Sequence, residues 1–265
     1  MRGLRHYLLA LQFFTRVPVT GRLAGWVGYS PAMLRASAAH FPGIGLLVGL
    51  LAAGVAWVLL ERLPQGSYAP FVAAVLSTIA TVLFTGALHE DGLADVADGL
   101  GGSHERLRAL EIMKDSRVGA FGAMALVLAF SAKFALLALI ASVDARALLA
   151  ALVLAHVVSR AWPLLLMRWL PYVGAADGTK AKPMADAVSG GTLLVAAAWT
   201  LAALAGVAWL QGVGFLWAAL GLSALAFAWM LRLFARRLQG FTGDCLGATQ
   251  QVCEIACYLG VALQL

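Results

Sequence analysis

The chain has 265 residues, of which 62% are hydrophobic and 12% charged, with a formal net charge of +6 and a mean hydropathy of +0.87. Soluble domains carry about 25% charged residues, so a water-soluble core is excluded and an integral membrane protein is expected. The positive balance does not point to nucleic acid, because the basic residues are dispersed along the loops, where they act as topology determinants.

Taken in order, the chain opens with Leu4, Leu8, Leu11 and Thr15 at helical spacing, with Tyr7 and Phe14 alongside and Arg2, Arg5 and His6 at other positions. That pattern predicts a short interfacial helix. A signal peptide is not expected: the apolar run 7–11 is short, Gln12 interrupts it, and no small-residue cleavage site follows. A membrane span needs about 20 apolar residues. Seven stretches qualify, at 41–60, 69–88, 120–143, 147–170, 191–210, 213–231 and 246–265. Only Gln211 and Gly212 separate the fifth from the sixth, which predicts a tight helical hairpin. The seventh is the weakest, since it carries Gln250, Gln251 and Glu254. No repeat or linker interrupts the chain, so residues 1–265 are expected to form one all-α, polytopic catalytic domain. With the N-terminus in the cytoplasm, fifteen Lys and Arg fall on the cytoplasmic side, including Lys180 and Lys182. The opposite side has Arg62 and Arg146, and Lys133 and Arg160 lie inside spans. This bias predicts a multi-pass protein of the cytoplasmic (inner) membrane. It also puts the acidic stretch and the loops 172–190 and 232–244 on the cytoplasmic face. Cys245, Cys253 and Cys257 are odd in number and form no Cys-x-x-Cys pair, so reduced thiols are expected.

Charge is concentrated in one place. Seven of the 13 acidic residues lie between Glu90 and Asp115. On a helix, Asp91, Asp95 and Asp98 stand at i, i+4 and i+7 and share an arc of roughly 60°. Three carboxylates on one stripe repel one another unless a cation sits among them, and oxygen ligands favour Mg²⁺, Mn²⁺ or Ca²⁺ over zinc. Asp115 is a candidate fourth ligand, beside Glu111, which reads as an ordinary surface acid. Lys114 and Arg117 are candidate phosphate-binding cations or juxtamembrane anchors. Gly119 and Gly122 open the next span and allow backbone or substrate to approach, at a helix N-terminus that favours an anion. His89 is a candidate general base, a support for the metal ligands, or an interface histidine. Arg160 sits mid-span, where a charge costs about 2.5–3.5 kcal/mol. It should face the interior, paired with Asp95, Asp98, Glu254 or a bound phosphate. Lys133 is expected to be buried against a carboxylate. Thr242-Gly243-Asp244 opens a helix and offers a hydroxyl, backbone N–H groups and a carboxylate, as a phosphate or metal cradle or as a plain cap. The glycines at 43, 45 and 49 read as helix-packing faces. No Walker A loop and no Gly-x-Gly-x-x-Gly fingerprint is present. These residues suit phosphoryl or pyrophosphate chemistry with a divalent metal.

The motifs resemble those of the cobalamin synthase, or adenosylcobinamide-GDP ribazoletransferase, family. They are Phe13-Phe14-Thr15-Arg16-Val17-Pro18-Val19, Phe41-Pro42-Gly43-Ile44-Gly45, and His89-Glu90-Asp91-Gly92-Leu93-Ala94-Asp95 with Asp98-Gly99. The stretch 112–119, Ser159-Arg160, and Thr242-Gly243-Asp244 with Gly247-Ala248 complete the set. One departure is Gln239-Gly240, where relatives often have two glycines. The resemblance implies that the ribose 3′-hydroxyl of α-ribazole, or of its 5′-phosphate, attacks the cobinamide-linked phosphate of adenosylcobinamide-GDP, and that GMP leaves. It implies a Mg²⁺ cofactor held by Asp91, Asp95 and Asp98, with Asp115 or Asp244 added. Lys114, Arg117 and Arg160 would hold phosphates, Thr242 and Asp244 would complete the substrate site, and His89 or an aspartate would be the base. The corrinoid, large and polar, should dock from the cytoplasmic face of the lipid bilayer. A homo-oligomer is compatible with the sequence but not specified by it. A CDP-alcohol phosphotransferase fits less well. Its Asp-x2-Asp-Gly pattern begins at Asp95, but Gly102-Ser103 stand where Ala-Arg belongs. A cation transporter would place its acids deeper in the spans.

Overall fold

The computed structural model describes residues 2–64, 66–174 and 188–265, and the regular structure in them is helical. Lys180 and Lys182 and most of the loop 172–190 lie outside the described residues. The N-terminal helix α1 (Arg2–Phe14) buries Leu9, Ala10 and Phe14 and keeps Arg2 exposed, as its amphipathic pattern requires. Two short helices follow, α2 (Gly21–Val27) and α3 (Pro31–Ser37). The Ser30 hydroxyl accepts from the Met33 amide at 3.1 Å, which caps α3.

The long helices are α4 (Phe41–Arg62), α5 (Ala69–Thr85), α8 (Ala120–Val143), α9 (Ala145–Trp169), α10 (Gly190–Gln211), α11 (Trp217–Arg237) and α12 (Gly243–Ala262). Between α5 and α8 lie α6 (Leu88–Gly102) and α7 (Arg106–Ile112). Among the described residues, five segments are long and apolar enough to cross a membrane by themselves: 31–62, α8, α9, α10 and 213–237. A sixth is counted only when α5 and α6, bent by 90° at the break between them, are taken together as one span. The bend is made by two left-handed residues, Gly86 (φ 71°) and Ala87 (φ 59°). It turns α6 away from the axis of α5, so the straight helix of the second expected span stops at Thr85. The seventh expected span also needs correction: α12 is too polar to count as an apolar span. It is buried instead. Thr249, Gln250, Gln251 and Glu254 are each 3% exposed or less, because neighbouring helices rather than lipid surround them.

α9 lies at the centre and packs on α4 through the glycine face read from the sequence. A side-chain carbon added at Gly49 would stand 2.8 Å from the Val153 Cα. The ends of the polar segments are tied together. The Phe241 amide donates to the Pro171 carbonyl at 3.0 Å, and the Val173 amide donates to the Phe241 carbonyl at 2.9 Å. Arg106 donates to the Leu238 carbonyl at 2.6 Å and Arg237 to the Ser103 carbonyl at 2.7 Å. The acidic stretch, the end of α9 and the turn before α12 thus share one end of the bundle. The three cysteines are free and buried.

Candidate active site

The site is built where the first turn of α12 crosses α6. Two glycines make the crossing close. A Cβ at Gly92 would lie 2.7 Å from the Asp244 carbonyl oxygen, and one at Gly247 would lie 3.1 Å from the His89 Cα. Gly92 lies next to Asp91 on α6, so the crossing carries Asp244 to the Asp91–Asp95 stripe. The Thr242 hydroxyl caps α12 by accepting from the Cys245 amide at 3.4 Å, and it donates to the Asp244 carboxylate at 3.1 Å. Among the described residues, the side chains of Asp91 and Asp95 have no hydrogen-bond or salt-bridge partner. Burial raises the Asp95 carboxyl to about 7, and the carboxylates of Asp244, Asp91 and Asp98 push it the same way.

Asp98 is placed differently. Its oxygens accept from the Gly119 amide at 2.7 Å and the Gly122 amide at 2.8 Å. Gly119 cannot cap α8 with a side chain, so Asp98 caps it from the neighbouring helix and lays a negative charge on the N-terminal end of its dipole. This explains both glycines: a side chain at either position would run into the Asp98 carboxylate. Asp115 is exposed to solvent and bonded to Arg117, whose guanidinium donates at 2.9 and 2.5 Å. Those bonds hold the Asp115 carboxyl at about 2. Lys114 and Arg117 are exposed. Among the described residues, no three His, Cys, Asp or Glu side chains stand close enough in their present rotamers to hold an ion. Asp91 and Asp95, without a side-chain partner among the described residues, and Asp244, bonded to Thr242, repel one another from two helices, and they are the set that fits an oxygen-liganded divalent cation.

A cavity of about 480 Å³ opens beside them, lined by Asp91, Asp244, His89, Arg16 and the aromatic rings of Phe14 and Phe41. Phe14 stacks on Phe41 at 4.2 Å between ring centroids, and Phe41 lies nearly parallel to the His89 ring. His89 is 2% exposed, and its Nε2 has no hydrogen-bond partner. Burial holds its pKa well below the usual histidine value, and the Arg160 charge acts the same way.

Arg160 does not line the cavity. It lies behind it, 2% exposed, and donates to the His156 carbonyl at 3.1 Å with its guanidinium 3.0 Å from the His156 ring. It belongs to a polar network deep in the bundle. Lys133 pairs with Glu254 at 2.9 Å, as its burial demanded, and also donates to Gln251 at 3.0 Å. Gln250 bridges Glu254 and Ser159, and Gln251 donates to Glu90 at 3.0 Å. The chain from Lys133 to Glu90 therefore ends one residue from His89. Sequence reasoning missed Arg16 and the Phe14–Phe41 wall as parts of the site. The signal available was the motif from Phe13 to Val19, whose residues carry no metal-binding pattern.

Helical spans around a cavity lined by carboxylates and a buried histidine define a polytopic membrane enzyme. The model of the family described as cobalamin-5-phosphate synthase matches residues 6–262, and the chain belongs to that family. The adenosylcobinamide-GDP ribazoletransferase of Polaromonas sp. (strain JS666 / ATCC BAA-500) is 60% identical over 276 residues, covering 98% of this chain and 97% of that protein. The protein of the same name in Albidiferax ferrireducens is 59% identical, with 99% of both chains covered. That of Vibrio cholerae (El Tor Inaba N16961) is 40% identical, over 96% of this chain and 91% of the relative. No solved structure matches. The protein is thus a membrane transferase of cobalamin assembly, and the CDP-alcohol phosphotransferase and transporter readings are set aside.

Proposed function

We propose that this chain transfers the cobinamide-phosphate group of adenosylcobinamide-GDP to the ribose 3′-hydroxyl of α-ribazole, or of its 5′-phosphate, releasing GMP. The observation that carries the reading is the cavity lined by Asp91, Asp244 and His89, where α6 and the start of α12 bring carboxylates of two helices together. In the step, a bond forms between the ribose O3′ and the cobinamide-bearing phosphorus. The bridging P–O bond breaks, and GMP leaves with the electron pair. His89 or one of the aspartates that line the cavity takes the hydroxyl proton. Asp91, Asp95 and Asp244 would hold Mg²⁺, which when bound neutralises charge on the diphosphate. The Phe14–Phe41 wall excludes water from one side of the cavity. A volume of about 480 Å³ suits a nucleotide, so the corrinoid stays at the mouth. The excess of Lys and Arg on one side supports an inner-membrane location with the cavity open to the cytoplasm. The test is turnover: purified protein with Mg²⁺, adenosylcobinamide-GDP and α-ribazole should release GMP. No GMP, together with ion flux in liposomes, overturns the reading in favour of a transporter.

A further inference from the structure

The cavity holds unpaired charge of both signs. Among the described residues that line it, Arg16 is the one arginine or lysine. Its guanidinium is exposed and makes no salt bridge with the described residues. It donates a single long bond, 3.5 Å, to the Gly86 carbonyl. The acids across the cavity, Asp91 and Asp244, have not neutralised it. An arginine free to pair with carboxylates in its own cavity, and left unpaired, is poised for something that enters.

The surroundings hold Arg16 in that position. Its backbone amide donates to the Phe84 carbonyl at 2.7 Å, which fixes the residue to the end of α5. The preceding Thr15 hydroxyl accepts from the Val17 amide at 3.1 Å and donates to the Leu11 carbonyl at 2.6 Å, which turns the chain as it leaves α1. The side chain then lies along Gly86. Any side chain at Gly86 would collide with the guanidinium, and its φ of 71° favours glycine in any case. The residue that bends α5 into α6, and so sets out the acidic stripe, is also the residue that makes room for Arg16.

We infer that Arg16 binds the diphosphate of the nucleotide substrate, and this rests on the transferase reading above. A diphosphate carrying a divalent cation presents both signs of charge. The carboxylates take its cationic end and the guanidinium takes phosphate oxygens, bidentately where geometry allows. Arg16 therefore fills the role for which Lys114, Arg117 and Arg160 were the sequence candidates. Two of those are solvent-exposed, on the chain between α7 and α8, and the third is sealed behind the cavity.

The experiment is equilibrium binding of GDP, with Mg²⁺, to the detergent-solubilised full chain, alongside steady-state turnover. The variants are Arg16→Ala, Arg16→Lys and, as a control, Arg22→Ala, an exposed arginine on α2 outside the cavity. Arg16→Ala should weaken GDP binding on the order of tenfold to a hundredfold and raise the KM for adenosylcobinamide-GDP while leaving the KM for α-ribazole unchanged. Arg16→Lys should recover part of the GDP affinity, and Arg22→Ala should match the unsubstituted protein. Equal GDP affinity in all four proteins overturns the inference, even if GMP release is normal. An absence of GMP release with Arg16-dependent GDP binding intact overturns the transferase reading and leaves Arg16 as a diphosphate ligand. Unfolding of Arg16→Ala is excluded by comparing its melting temperature with that of Arg16→Lys.

Discussion

Replacing Asp98 with asparagine separates two roles that the sequence alone merges. The structure makes Asp98 the cap of α8, with both carboxylate oxygens bonded to amides at 2.7 and 2.8 Å and only 8% of the residue exposed. Asparagine keeps one acceptor but turns an NH₂ toward the second amide. That loses a cap worth about 0.5–2 kcal/mol and a charge–dipole contribution of up to about 2 kcal/mol in a partly buried setting. It also leaves a buried N–H unsatisfied, at about 1–3 kcal/mol. These contributions overlap, so the expected loss is about 2–4 kcal/mol, or roughly 5–12 °C in Tm for a chain of this size. The assay is thermal unfolding in detergent, with EDTA and with Mg²⁺. Asp98→Asn should melt lower by the same amount in both. Asp95→Asn should behave in the opposite way. It removes a repelled carboxylate, so Tm in EDTA holds or rises, while the stabilisation by Mg²⁺ and turnover are lost. If Asp98→Asn melts normally in EDTA and only its response to Mg²⁺ disappears, the capping argument is refuted and Asp98 is a metal ligand.

The interior network gives a second prediction. Glu254→Gln strands the buried Lys133 ammonium, which should cost about 3–5 kcal/mol in unfolding experiments, and Lys133→Met added to it should restore at least about 2 kcal/mol. Additive losses would show that the 2.9 Å pair carries no coupling. At the turn before α12, Gln239 has a φ of 54°, which an L-residue adopts at a cost of about 1–2 kcal/mol. Gln239→Gly should raise stability by roughly 0.5–1 kcal/mol after the extra chain entropy of glycine, with turnover unchanged. A destabilised Gln239→Gly protein would show that the glutamine side chain makes a contact the backbone argument ignores.

Local composition alone determined a good deal. Runs of apolar residues long enough to cross a bilayer set the all-helical membrane architecture, and the periodicity of Leu4, Leu8 and Leu11 marked α1 as lying at the edge. The acidic stripe was legible because carboxylates are rare in so apolar a chain, and the order of motifs pointed to the family. What a one-dimensional reading could not decide was which of these charges are already paired. Asp95 and Asp98 share a helix face, yet a glycine amide 21 residues further along the chain claims one, while the other stays unpaired. Asp115 and Arg117 looked like two separate ligands and are each other's partner. Arg160 looked like a phosphate clamp and is sealed behind the cavity wall by contact with His156. Arg16 carried no metal-like spacing at all. It enters the site because a bend of 90° at Gly86 and Ala87 brings the end of α1 against the start of α6. Side-chain type and period belong to short stretches of chain. Pairing and burial depend on distances between residues far apart in sequence, and only the packed helices set those distances.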